Sequence, residues 1–140
     1  MFRVYVEKRQ DLNCDAILAL NEFRGFLSIP NITAVRYLFR YDVSGISCET
    51  LMAYIPAVLF DCPSDTYYLD DLPKNKDDFM FAVKFLPGVF DQRADSAALC
   101  IGAECEIARV YIISGDISNE EKSRIKQYVI NNVDEREVDV

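Results

Sequence analysis

The stretch "TAVRYLFRYDVSGIS", residues 33–47, alternates Val35, Tyr37, Phe39, Tyr41 and Val43 with Arg36, Arg40 and Asp42. A period of two is the mark of a strand, because successive side chains leave opposite sides of the pleat. The β-branched and aromatic content favours the same assignment. A second stretch, "EIARVYIISGDIS" at residues 106–118, has the same form: "VSGIS" at 43–47 answers "ISGDIS" at 113–118, and Tyr41 and Tyr111 hold the same place before the turn.

Working outward from the first strand, "FRVYVEK" at 2–8 alternates as a half-buried strand does. The polar bend "RQDLNCD" leads into a segment from Asp15 to Ile29 with Ile17, Leu20, Phe23 and Leu27 at helical steps. Pro30 and Asn31 end it, since proline lacks the N–H a helix needs. A second helix is expected from Ser47, kinked or split by Pro56, and then a turn at Cys62–Ser64, a short strand "DTYYLD" and a linker "DLPKNKDD". Around the second strand the order recurs: "FMFAVKFL" a strand, "DQRADSAALCIG" a helix, "SNEEKSRIKQYVIN" a helix, "EREVDV" a strand. Leu12-Asn13 before the first helix answers Phe90-Asp91, and laying Ser47 on Ser118 brings Tyr67 over Val138 and Leu69 over Val140.

A repeat of about 70 residues is too long for a solenoid unit and suits a duplicated module. The expectation is a single α+β domain of two β-α-β-α-β halves, residues 1–72 and 79–140, joined by a linker at 73–78. Antiparallel sheets related by a pseudo-twofold axis, with helices outside and a shared core between the sheets, are one arrangement that would bury the apolar faces; packing face to face and joining edge to edge both stay open.

Composition narrows the chemistry. With 51% hydrophobic and 27% charged residues in 140, the chain reads as globular. The apolar runs are too short to span a bilayer, and Arg3 with the charged stretch Glu7–Asp11 resembles no secretory leader, so a cytoplasmic location is expected, with no membrane partner. The net charge of −8, with no basic run, argues against a nucleic-acid partner. The five cysteines are odd in number and none has a two-residue partner spacing; reduced, packed thiols are expected. There is no histidine, which excludes Ser-His-Asp and Cys-His nucleophiles and histidine-containing zinc sites within this chain. The five glycines are scattered and form no phosphate loop, so no metal or cofactor site is expected here.

The polar cluster in "FLPGVFDQRADSAALCIG", residues 85–102, is the candidate site. Asp91 suits an N-cap, Asp95 is favoured by the helix dipole, and Ala94, Ala97, Ala98 and Ile101 form one face. Gln92, Arg93 and Ser96 are left over. They are either a solvated face or, with Asp91 and Asp95, a contact surface whose Arg93 grips a carboxylate, a phosphate or a partner's backbone. Ser118 and Glu121 fit a capping box. Lys122 and Lys126 following Glu120 and Glu121 read as helix ion pairs. The aromatic stripe Tyr37–Tyr41 reads as a buried sheet face rather than a base-stacking platform.

In their order and spacing, "RVYVEK", "RYDVSGIS", "LPGVFDQRADSAALCI", "ARVYIISGDIS" and "YVINNVDEREV" resemble the N-terminal domain of the large, single-chain phosphoribosylformylglycinamidine synthases of purine biosynthesis. "FDQRADSAA" after a Pro-Gly is the most specific piece; Val89 and Asn132 depart from the family pattern, where glutamine and proline are common. The resemblance implies a fragment of a much longer ligase, an ATP-dependent glutamine amidotransferase. That enzyme converts formylglycinamide ribonucleotide, ATP and glutamine into formylglycinamidine ribonucleotide, glutamate, ADP and phosphate. It further implies that ATP, magnesium and all catalytic residues lie in other domains and that this chain alone is inactive. The expected role is structural, with Asp91, Gln92, Arg93, Asp95 and Ser96 at an interdomain contact. Synthetase and glutaminase domains of the same enzyme are the implied partners, besides a homo-dimer of the fragment. The domain resembles a fused dimer of the small PurS subunit of multi-chain versions. A free-standing adaptor of that kind and a small-molecule-sensing α+β module are the alternatives.

Overall fold

The structure, a computed structural model, describes residues 1–56 and 65–139. In chain order the elements are β1 (Phe2–Lys8), α1 (Cys14–Asn21), β2 (Ile32–Ser44), α2 (Cys48–Tyr54), β3 (Asp65–Leu69), β4 (Phe79–Phe85), α3 (Gln92–Ile101), β5 (Glu104–Gly115), α4 (Asn119–Val129) and β6 (Glu135–Val138). The chain is α+β, and its six strands form one antiparallel sheet in the order β3-β1-β2-β5-β4-β6.

Each helix begins where its sequence supplies an acceptor for an orphan amide. Asn13 accepts from the Ala16 N–H, Ser47 from Thr50, Asp91 from Ala94 and Ser118 from Glu121. Glu121 answers the Ser118 N–H and completes a capping box. Beyond Asn21 the chain widens into a π-helical turn, Glu22–Phe26, so the first helix ends well before Ile29. Its buried residues are Ala16, Ala19 and Phe23, whereas Ile17 is exposed. The expected turn at Cys62–Ser64 lies outside the described residues.

One side of the sheet carries Val4, Val6, Val35, Tyr41, Val43, Phe81, Val83, Ile107, Tyr111 and Ile113, and all four helices cover it. Leu51 of α2 and Ala94, Ala97 and Ile101 of α3 close one cluster; Ala19 of α1, Phe23 and Ile125 of α4 close the other. Among the described residues no helix lies on the opposite side, yet Leu38, Ala82, Ala108, Val110 and Ile112 are fully buried there, with Tyr68 of β3 and Val138 of β6 packed against them.

Curvature accounts for this burial. Arg40 of β2 donates to the Asp139 carbonyl just beyond β6 at 2.9 Å. In a flat sheet those strands would lie roughly 14 Å apart, three spacings of about 4.8 Å. The sheet therefore curls toward its helix-free side. The segment after β3 crosses the same side, where Arg36 donates to the Pro73 carbonyl and Ser114 to Asp78. The expected core between two sheets is thus a core inside one bent sheet, because the halves join edge to edge through β2 and β5.

A second expectation is corrected by register. Tyr67 lies beside Val6 on the helix-covered side, whereas Val138 lies beside Ala82 on the other. Matching Tyr67 to Val138 is therefore a slip of one residue, which in a strand changes the face.

Candidate functional site

The cluster at residues 91–96 begins after a turn in which Gly88 takes φ +91° and the Val89 N–H donates to the Leu86 carbonyl at 3.1 Å. A positive φ there suits glycine. The turn thrusts Phe90 outward, 71% exposed, and delivers Asp91 to the start of α3.

The structure gives the five expected residues different tasks. Asp91 accepts from the Ala94 N–H at 3.1 Å as an N-cap. The Arg93 guanidinium lies 4.1 Å above the Phe39 ring and donates to the Tyr41 hydroxyl at 3.4 Å. Gln92 is exposed beside them. These three share a cleft of about 360 Å³ with Phe39, Val83, Phe85, Phe90, Ile107, Arg109 and Glu135. Asp95 faces a neighbouring, acidic cleft of about 600 Å³, whose lining includes Asp42, Asp91, Glu104, Cys105 and Glu106. Ser96 is exposed and lines neither cleft.

Sequence reasoning passed over the most deeply buried charges. Arg40, 2% exposed, grips Asp42, 5% exposed, through two N–H donors at 3.1 and 3.2 Å. Lys84 of β4 reaches both Asp42 at 2.7 Å and Glu106 of β5 at 2.9 Å, and Arg3 of β1 stands 3.8 Å from Asp42. One carboxylate thus ties strands β1, β2 and β4 together on the helix-free side. The available signal was Arg40 and Asp42 at a spacing of two, deep inside a long strand and not at its ends.

Burial governs the titratable groups of the helix-covered side. It raises Tyr37 and Tyr111, and it pushes the Cys105 thiol from 9.0 up to about 11, with Asp42, Asp91 and Glu106 adding to the shift. The expectation of packed thiols is corrected for four of the five cysteines: Cys14, Cys48 and Cys100 are exposed and Cys105 is half-buried, while Cys62 lies outside the described residues. Lys122 and Lys126 are likewise not engaged as helix ion pairs. Both lie over the Phe79 ring, at 5.3 and 5.5 Å, and Lys126 pairs with Glu137 of β6 at 2.8 Å. Among the described residues no three His, Cys, Asp or Glu side chains converge as a metal site, and no helix is long and apolar enough to cross a membrane.

No family model matches this chain, and no curated protein matches it. The partner expectation is corrected accordingly. No family model or curated match links this chain to a synthetase or glutaminase unit, and Arg93, the residue expected to grip a partner, has one face and one donor engaged by Phe39 and Tyr41 of the same chain. β2 and β5 are paired with each other from Ile32↔Gly115 to Ser44↔Glu104, so neither is a free edge for a second copy.

Proposed function

We propose that the chain is the N-terminal structural module of a phosphoribosylformylglycinamidine synthase, formed by duplication of a small β-α-β-α-β unit and without catalytic groups of its own. The observation that carries this reading is the strand order. Numbered within its half, β3-β1-β2-β5-β4-β6 reads third, first, second, then second, first, third. A fused pair of small subunits paired edge to edge would have this order.

Register supports the same reading. Laying Tyr41 on Tyr111 carries Phe39 onto Arg109, and these two are directly paired, as residues beside a twofold axis would be. The pair Tyr41↔Ile107 is then the counterpart of Tyr37↔Tyr111. Val4↔Tyr41 matches Phe81↔Tyr111, and Tyr5↔Tyr68 matches Ala82↔Val138. In those positions the Arg36–Glu7 bridge at 2.7 Å answers Glu106–Lys84 at 2.9 Å, with the charges exchanged. The caps correspond as well, Asn13 with Asp91 and Ser47 with Ser118.

A module of this kind contributes shape. The absence of histidine and the commitment of the buried charges to one another fit that role. Deleting the codons for residues 1–140 from the native gene should produce a purine requirement, relieved by supplied hypoxanthine. Normal growth without purine would contradict the reading.

A further inference from the structure

We propose that the cleft between Phe39, Ile107 and Arg93 is a binding site for a small planar carboxylate, held by Arg93 at the mouth and by aromatic rings at the floor and rim. The cleft itself stands on geometry alone; the likeness between the halves rests on the proposed duplication.

Its volume of about 360 Å³ has room for a molecule of one or two rings. The walls are apolar: Phe39, Val83, Phe85, Phe90 and Ile107. Polar groups enter from Asp91, Gln92, Arg93, Arg109 and Glu135, and Gln92 is exposed beside Arg93. Arg109 is paired with Glu135, and Asp91 holds the Ala94 N–H. Arg93 differs, having no carboxylate within ion-pair distance among the described residues. It uses one donor on Tyr41 and one face on Phe39, which leaves four of a guanidinium's five N–H groups and the opposite face. A guanidinium fixed against a ring presents a fork matched to a carboxylate. Phe90 stands at the rim with most of its surface in water, placed to cover a ring lying in the cleft.

The other half shows what the position looks like when it is filled. There Tyr37 stands at the place of Ile107, packed edge-to-face against Phe39 and Tyr111 with centroids 5.5 and 5.1 Å apart. Asn13, in the place of Asp91, donates to the Tyr37 carbonyl at 3.0 Å, and Asp15 replaces Arg93. One twin thus has a ring of its own and an acid; the other has a space and a cation.

The test is an amide chemical-shift titration of the 140-residue chain with indole-3-acetate, and with indole-3-acetamide as the uncharged control. Indole-3-acetate should give saturable shifts at Phe39, Arg93 and Ile107. The acetamide, and the Arg93→Met variant with the acid, should bind at least about 10-fold more weakly. Ile107→Tyr should abolish the shifts while the rest of the spectrum is retained; if that variant fails to fold, Arg93→Met decides. No saturable shift at about 10 mM acid, or equal binding of acid and amide, would overturn the proposal. Purified chain is used throughout, so a negative result leaves the purine-requirement test untouched.

Discussion

Asp42 has more structural dependants than any other side chain in the ionic cluster. Its carboxylate is the acceptor for Arg40 and Lys84, and Arg40 is almost wholly buried. Desolvating such a group is tolerable only while its counter-charge is present. Asp42→Ala should therefore cost about 3–5 kcal/mol in urea unfolding, because it strands the buried Arg40 and leaves Lys84 only the exposed Glu106. The triple change Arg40→Met, Asp42→Leu, Lys84→Met should be neutral or stabilising, by up to about 4 kcal/mol, since an apolar set satisfies the same space. On the same side of the sheet Val110 and Ile112 of β5 are fully buried as apolar groups, which is the environment the triple change would extend. Cys105 gives a prediction in pH. Its thiol is raised from 9.0 to about 11, so the neutral form is favoured by the fold, and the stability it supports is complete below pH 9 and is lost between there and about 11. Tyr111 and Tyr37, both raised chiefly by burial, add to the loss in the same direction as pH rises above 10. A denaturation midpoint that holds steady or rises across that range would contradict the assignment. With a thiol reagent at mild alkaline pH, Cys105 should react at least about 10-fold more slowly than the exposed Cys14, Cys48 and Cys100.

At the scale of elements, the four helix starts are where sequence and structure agree best. A cap is a local interaction of one side chain with an amide two or three residues on, so Asp91 and the Ser118–Glu121 pair were legible without any knowledge of the fold. Their energies should nevertheless differ from that of Asn13. Ser118→Ala should cost about 1 kcal/mol. Asn13→Ala should cost about 2 kcal/mol, because Asn13 is buried and also donates to the Tyr37 carbonyl, leaving two groups unpaired. Urea unfolding of the two variants checks the order. Gly115 is a fixed point of another kind: at φ +135° a Cβ would collide with the Asn31 carbonyl oxygen, where β2 is irregular between Ile32 and Ala34. What the sequence concealed at this scale was non-local. The alternation in 33–47 showed which residues share a side, but not that the polar side would be enclosed. Enclosure depends on β6 curling over β2, a contact across almost the whole chain, from Arg40 to Asp139. The one-residue slip at β6 has a related cause: "ISGDIS" has one residue more than "VSGIS", so aligning the serines after the turn displaces every later residue by one. The engagement of Arg93 with Phe39 and Tyr41 could not be read from the polar cluster, since those rings belong to the first half of the chain.

For the whole molecule, all three apolar clusters draw on both halves. α3 of the second half covers Val4, Val6, Tyr41 and Val43 of the first, while Ala19 and Phe23 of the first share a cluster with Phe81 and Ile125 of the second. The helix-free cluster joins Tyr5 and Leu38 to Ala82, Val110 and Ile112. Neither half should fold alone, and the chain should unfold in one transition, with far-UV and near-UV signals coincident. All of this depends on one seam, the antiparallel pairing of β2 with β5 centred on Phe39 and Arg109. Cross-strand nuclear Overhauser contacts measured along that seam test it most directly. They should link Val35 to Ile113, Tyr37 to Tyr111, Phe39 to Arg109 and Tyr41 to Ile107 in unbroken sequence. Contacts displaced by one residue, or none between residues 32–44 and 104–115, would contradict the pairing of the sheet.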